Sequence, residues 1–173
     1  AIRGGLHLLR VELARPYVQS LLGEYGVPAD CLVFEITENL AVRHLEHVEK
    51  QVTALRALGC EAALDDFGKG YSSLGHLQQL SVDYIKIDGS FIRNLPKNPV
   101  DQKMVRLIGE IGREAGMKVV AEYVHSAKIF SLLGELGIQY AQGNYVGKPL
   151  AAPSTRPVPM PLSSRRGKRR AAS

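Results

Sequence analysis

The sequence predicts an α/β protein on parallel strands, an incomplete (β/α) TIM-type barrel with about five of the eight strands. Three observations carry that expectation. Five short apolar segments alternate with helical stripes. Charged or amide side chains enter those segments near their ends. No glycine-rich phosphate loop follows the first segment, so a doubly wound nucleotide-binding sheet, which alternation alone would also allow, lacks its usual support. A complete barrel takes eight strands and ~250 residues, more than 173 residues supply.

The elements follow in order. Leu13, Val18, Leu21, Leu22 and Tyr25 mark a helical face that Gly26 and Pro28 end. Residues 31–37 (CLVFEIT) read as the first strand. Leu40, Val42, Leu45, Val48, Val52, Leu55 and Leu58 then recur at helical intervals up to Gly59. The second strand is 61–67 (EAALDDF), followed by a short stripe of Leu74, Leu77 and Leu80, and the third strand is 82–88 (VDYIKID). Met104, Leu107, Ile108, Ile111 and Ala115 form the next helical stripe, closed by Gly116. Residues 118–124 (KVVAEYV) read as the fourth strand. Ser126 is placed to cap a helix bearing Ile129, Phe130, Leu133 and Leu136, and 138–146 (IQYAQGNYV) reads as the fifth strand.

Composition narrows the class. The chain is 45% apolar and 23% charged, a balance that suits a globular domain and not a disordered one. Its formal charge of +5 comes from the end of the chain. Arg156, Arg165, Arg166, Lys168, Arg169 and Arg170 lie within residues 151–173, which contain no acid. The first 150 residues hold 16 basic and 17 acidic side chains, so no basic nucleic-acid face is expected on the body. Residues 151–173 read as a disordered, basic, Pro/Ser/Arg-rich tail, solvated and not committed to nucleic acid. Residues 1–150 read as one domain. The chain lacks an apolar run of membrane-spanning length and a signal-peptide core. Cys31 and Cys60 read as reduced, small apolar fillers at strand starts, so a cytoplasmic setting is expected.

The chemistry lies at the strand ends. Glu35, Asp65, Asp66, Lys86, Asp88, Glu122 and Gln142 sit late in, or just after, otherwise apolar segments. Isolated buried charges cost several kcal/mol unless paired or metal-bound, and C-terminal strand ends face the functional crevice of parallel α/β folds. Four carboxylates, Glu35, Asp65, Asp66 and Glu122, offer hard oxygen ligands for Mg²⁺, Mn²⁺ or Ca²⁺. Consecutive aspartates point to opposite strand faces, so both can reach one site only if the strand ends there and turns, as Gly68 and Gly70 allow. Asp65 could then bridge two metals, the arrangement that activates water for phosphodiester cleavage. Lys86 could support a water or a developing phosphorane. Asp88 is expected on its strand face, Gln142 could orient a phosphate oxygen, and 68–73 (GKGYSS) reads as a rim loop.

Taken in order, FEITE (34–38), DDFGKGYSSL (65–74), YIKIDGSFI (84–92), VVAEYV (119–124) and AQGNYVGKPL (141–150) resemble the successive motifs of the EAL domain. That family comprises barrel-type phosphodiesterases and receptors for the bacterial messenger cyclic di-GMP. The resemblance runs from about Ala14 to Leu150. It implies metal ligands at Glu35, Asp65, Asp66 and Glu122, holding Mg²⁺ or Mn²⁺, with Asp65, Lys86 and Glu122 catalytic. Gln142 and Asp88 are expected at the substrate, and Glu38 beneath the loop after DDFG. The implied reaction is two-metal hydrolysis of cyclic di-GMP to the linear dinucleotide.

Some features of the family pattern differ. Its Glu-Ala-Leu signature is absent, and Arg3 or His7 stands where it places an asparagine ligand. Tyr123 and His125 replace a glycine and a glutamate. Impaired catalysis is therefore expected, with a non-catalytic cyclic di-GMP sensor or a degenerate interaction module as the alternative. A homodimer or a covering domain is expected over the open barrel edges.

Overall fold

The computed structural model describes residues 11–69 and 79–148. Gly70, Leu74, Leu77, the tail 151–173, Arg3 and His7 lie outside the described residues. Chain order begins with helix α1 (Val11–Tyr25), a 3₁₀ turn (Ala29–Cys31), strand β1 (Val33–Thr37) and helices α2 (Glu38–Arg43) and α3 (Leu45–Arg56). Next come β2 (Glu61–Phe67), β3 (Tyr84–Ile87), α4 (Gly89–Arg93) and a second 3₁₀ turn (Leu95–Lys97). Helix α5 (Pro99–Glu114), β4 (Lys118–Ala121), α6 (Ala127–Glu135) and β5 (Tyr140–Ala141) complete it. The strands form one parallel sheet in the order β1-β2-β3-β4-β5, an arc of a barrel. Among the described residues no helix is long and apolar enough to cross a membrane.

Register decides which side chains share a face. Glu35 pairs with Ala63, Ala63 with Tyr84, Tyr84 with Lys118, and Val120 with Tyr140. Side chains two apart lie on one face of a strand. One face therefore carries Glu35, Asp65 and Lys86, and its continuation just past the ends of β4 and β5 reaches Glu122 and Gln142. The opposite face carries Ile36, Leu64, Ile85, Ile87, Val119 and Ala121, which join the main core with Val48, Val52, Val105, Ile108, Ile129 and Leu133. The helices thus cover the apolar face and leave the polar one for the barrel interior.

The foot of the sheet is pinned where β2 meets β3. Asp83 donates its backbone N–H to Ala62 O at 2.8 Å, and its Oδ2 accepts the Ala62 N–H at 2.9 Å. Arg56 closes on Oδ1 at 3.1 Å.

Several elements differ from expectation. The helix expected to run through 40–58 breaks at His44, whose backbone (φ −136°, ψ 43°) leaves the helical region. Because α2 begins directly after β1 at the rim, the break re-aims the chain to return along the sheet as α3. The α5 stripe is also displaced. Met104 and Leu107 are exposed, and Val105, Ile108, Gly109 and Gly112 form the buried face. A Cβ on Gly109 would come 2.9 Å from Ile138 Cδ1, and one on Gly112 would overlap Val119 Cγ2. Glycine lets the helix approach β4 this closely, and no hydrophobicity pattern registers it. Tyr25 is exposed, and among the described side chains of the α1 face only Val18 is buried, in a small cluster with Leu55 and Cys60. The first, third, fourth and fifth strands are shorter than expected. The fifth keeps only two residues because the chain turns at Gly143. Cys60 is a buried filler as expected, its thiol pKa pushed up by burial, whereas Cys31 is exposed on the 3₁₀ turn.

Candidate active site

Three of the expected carboxylates meet at one nitrogen. Lys86 Nζ lies 2.9 Å from Glu35 Oε1, 3.0 Å from Asp65 Oδ1 and 2.8 Å from Glu122 Oε1. β1, β2 and the segment just past β4 thus deliver one acid each, while β3 supplies the cation from the middle of the sheet. Only 5% of the Lys86 side chain is exposed. Burial pulls its pKa down, but the contacts with Glu122, Glu35 and Asp65 prevail and raise it above the ordinary lysine value. Lys86 is therefore an ammonium at neutral pH and has no lone pair to act as a base. Both Nζ and Asp65 Oδ1 are buried without a contact of hydrogen-bond geometry, so charge attraction holds them.

Each carboxylate turns one oxygen to Lys86 Nζ, which occupies the point on which the three converge. Among the described residues no three acidic, imidazole or thiol groups stand close enough to share a metal ion. The donor set nevertheless fits a hard divalent cation: all its atoms are carboxylate oxygens, and Asp65 Oδ1 lacks a hydrogen-bond partner. To hold an ion together, the three acids would have to release Lys86.

Asp66 is placed by a bulge and not by the end of the strand. Leu64 pairs with Ile85 and Phe67 with Ile87, so β2 carries one residue more than β3 across that interval. Asp66 absorbs it at φ 57°, a conformation aspartate tolerates better than most residues. The strand continues to Phe67, and Gly68 makes the turn at φ 97°. Asp66 sits apart from the Lys86 cluster, with Lys69 Nζ 3.5 Å away. Beneath the turn, Glu38 is 2% exposed and its Oε2 accepts the Gly68 N–H at 2.9 Å. That contact joins the start of α2 to the turn after β2.

Asp88 lies past the end of β3 and not on it. It caps α4, accepting the Ser90 N–H at 2.9 Å, and its Oδ2 lies 3.0 Å from Lys69 Nζ. Burial opposes its ionisation, but the hydrogen bonds from Ser90 and the charge of Lys69 outweigh it and hold its pKa down to about 2. A depressed carboxyl pKa contributes stability that is present above the unfolded value near 4 and lost as pH falls toward 2. Asparagine caps equally well, so Asp88→Asn removes only the charge. We expect it to cost about 1 kcal/mol at pH 7, the exposed Lys69 partner being screened. Melting temperatures measured against pH should show that deficit closing as pH approaches 2.

Asp88, Glu122 and Gln142 line one cavity of about 710 Å³, together with Arg93, Tyr123 and His125. The cavity stands beside the Lys86 cluster, and Glu122 belongs to both. Gln142 is fixed by its backbone, donating to Ala121 O at 2.8 Å and accepting from Val124 N at 3.0 Å. Sequence reasoning missed Lys69 as the partner of Asp66 and Asp88, and missed Arg93 altogether. It noticed Tyr123 and His125 only as departures from a pattern. The signal for Lys69 was its place between two acids of known position.

A family model described as EAL domain matches residues 7–149. A Shewanella oneidensis protein named cyclic di-GMP phosphodiesterase PdeB is 42% identical over 125 residues, 72% of this chain and 15% of that protein. The chain thus spans a small part of that relative's length. Among solved structures, the PaMucR phosphodiesterase in complex with c-di-GMP superposes with a TM-score of 0.77 at 32% identity, covering 84% of this chain and 60% of that one. The manganese/cy-diGMP complex of Klebsiella pneumoniae BlrP1 superposes with a TM-score of 0.74 at 29% identity, covering 80% of this chain and 36% of that one.

Proposed function

The chain belongs to the EAL domain family, and we propose that its polar cavity binds cyclic di-GMP and supports hydrolysis of one phosphodiester to the linear dinucleotide. The observation that carries this reading is the convergence of Glu35, Asp65 and Glu122 on one buried point beside a cavity lined by Gln142 and Asp88. A packing role alone does not call for three acids there, because one would neutralise Lys86. The PaMucR and BlrP1 structures, both solved in complex with c-di-GMP, support the substrate class.

In this reading Glu35, Asp65, Asp66 and Glu122 hold divalent cations, Mg²⁺ or Mn²⁺, and the manganese complex of BlrP1 supports that class. Bound there, such ions would supply an activated water and charge stabilisation at the leaving oxygen. The chain's own residues do the rest. Lys86, protonated at neutral pH, presents positive charge where negative charge builds on the phosphate. Gln142, held by two backbone hydrogen bonds, aims a neutral amide at the ligand. Glu38 ties the root of the rim loop to the start of α2. We place the protein in the cytoplasm, where the nucleotide messenger would be its substrate.

The test is direct. Incubated with cyclic di-GMP and Mg²⁺ or Mn²⁺, the chain should release the linear dinucleotide, resolved by reversed-phase chromatography, and excess EDTA should stop it. Intact cyclic di-GMP after prolonged incubation with either metal would reject hydrolysis.

A further inference from the structure

Tyr123 pays a backbone cost that its packing does not explain. It follows Glu122 at the end of the β4 segment with φ 61°, a left-handed conformation that costs a non-glycine residue about 1–2 kcal/mol. Its side chain does not recover this by burial, being 51% exposed. Strain of this kind concentrates at ligand sites.

The ring is nevertheless held from several directions. The Arg93 guanidinium, from α4, lies 4.1 Å from the ring centroid over one face. His125 meets it edge-on, with centroids 6.1 Å apart and planes at 69°, and His125 Nδ1 lies 3.1 Å from Tyr123 O. Gly89 makes room, since a Cβ there would come 2.8 Å from Tyr123 Cβ. Tyr123, Arg93, His125 and Gly89 all line the cavity that holds Glu122 and Gln142. With one face taken by Arg93, a flat group entering the cavity meets the other. An exposed, braced aromatic beside a phosphate-binding site suits a nucleobase, because every base offers a π-face.

We propose that Tyr123 is the stacking surface for a guanine base of the bound dinucleotide, braced by Arg93 and His125. The assignment rests on the reading of the cavity given above. Purines stack more strongly than pyrimidines, so Tyr123 should also favour a purine dinucleotide over a pyrimidine one. Stacking on an aromatic side chain is worth about 1–3 kcal/mol per base, which corresponds to roughly five- to 150-fold in affinity.

The experiment is calorimetric titration of the whole chain with cyclic di-GMP and, separately, cyclic di-UMP, in Ca²⁺. Tyr123→Leu should weaken cyclic di-GMP binding about tenfold or more, Tyr123→Phe should restore it, and the preference over cyclic di-UMP should shrink in the leucine variant. Tyr123→Gly adopts the left-handed conformation without strain, so it should melt no lower than the parent while binding as weakly as the leucine variant. The chain contains no tryptophan, so Tyr123→Trp installs a single tryptophan that can be excited selectively at its red edge, and a stacked guanine should quench it on titration. If the parent binds cyclic di-GMP and Tyr123→Leu binds it equally well, the stacking role is wrong and the cavity's function stands. An unquenched Tyr123→Trp that still binds cyclic di-GMP overturns it in the same way. If the parent itself binds no cyclic di-GMP, the functional reading falls and the stacking role falls with it.

Discussion

Lys86→Met should lower the stability of the fold by about 3–5 kcal/mol, because it leaves Glu35, Asp65 and Glu122 facing one another without their common cation. For a chain of this size that corresponds to a fall of about 10 °C in melting temperature. Methionine nearly matches the lysine stem in length, so little of the loss would come from an empty volume. The pH dependence separates the electrostatic origin from a packing defect. In the parent, the raised lysine pKa contributes stability that is complete below the unfolded value near 10.4 and lost as pH rises through the folded value. The parent should therefore show no contribution from Lys86 to stability changes between pH 5 and pH 9. In the methionine variant, acid should narrow the deficit, since protons then neutralise the crowded carboxylates. Urea melts of both chains at pH 7.5 and pH 5 provide the check. A deficit that stays the same at both values would mean the loss is steric.

Gly143→Ala should damage the other half of the site. Gly143 has φ 153°, and a Cβ there would drive into the backbone N and O of Val124. Backbone cannot move aside as a side chain can. The contacts at stake are Gln142 O to Val124 N and Tyr145 N to Val124 O, both 3.0 Å. The expected cost is on the order of 3 kcal/mol, from overpacking and strain together. Hydrogen exchange should show the Val124 and Gln142 amides losing protection first. Glu35 and Asp65, which depend on β1 and β2, should keep their surroundings. A variant with parental protection at Val124 would mean the turn relaxes around the methyl group.

Much of this site was legible in the sequence because a strand's side chains alternate. Glu35, Asp65, Lys86 and Glu122 interrupt apolar runs at corresponding depths, and parallel register carries that correspondence directly into space. The second strand was expected at its observed bounds for the same reason: EAALDDF is short, apolar and followed by Gly68. What escaped the reading was whatever breaks the alternation. A bulge at Asp66 adds a residue without leaving a mark in composition. Asp88 has the spacing of a strand residue, yet the chain turns into α4 one position earlier. The face of α5 was misread because two of its four buried positions are glycines, whose role is to be absent. Tyr123 and Arg93 lie thirty positions apart, and only the folded chain brings them together.

The clamp between Asp83 and Ala62 has a consequence at the far end of the sheet. Sliding β3 by one residue along β2 would leave most of its backbone bonds replaceable, but would turn Lys86 into the greasy layer under the helices and bring Ile85 or Ile87 round to the acids. The acids themselves oppose that slip, because it would strip them of their cation and bury its charge among apolar side chains. The doubled grip of one aspartate at the foot of the strand opposes it as well. The side of the sheet that carries its central cation is thus also held about ten ångströms upstream, at one strand rise of ~3.3 Å per residue, by a residue that takes no part in the chemistry.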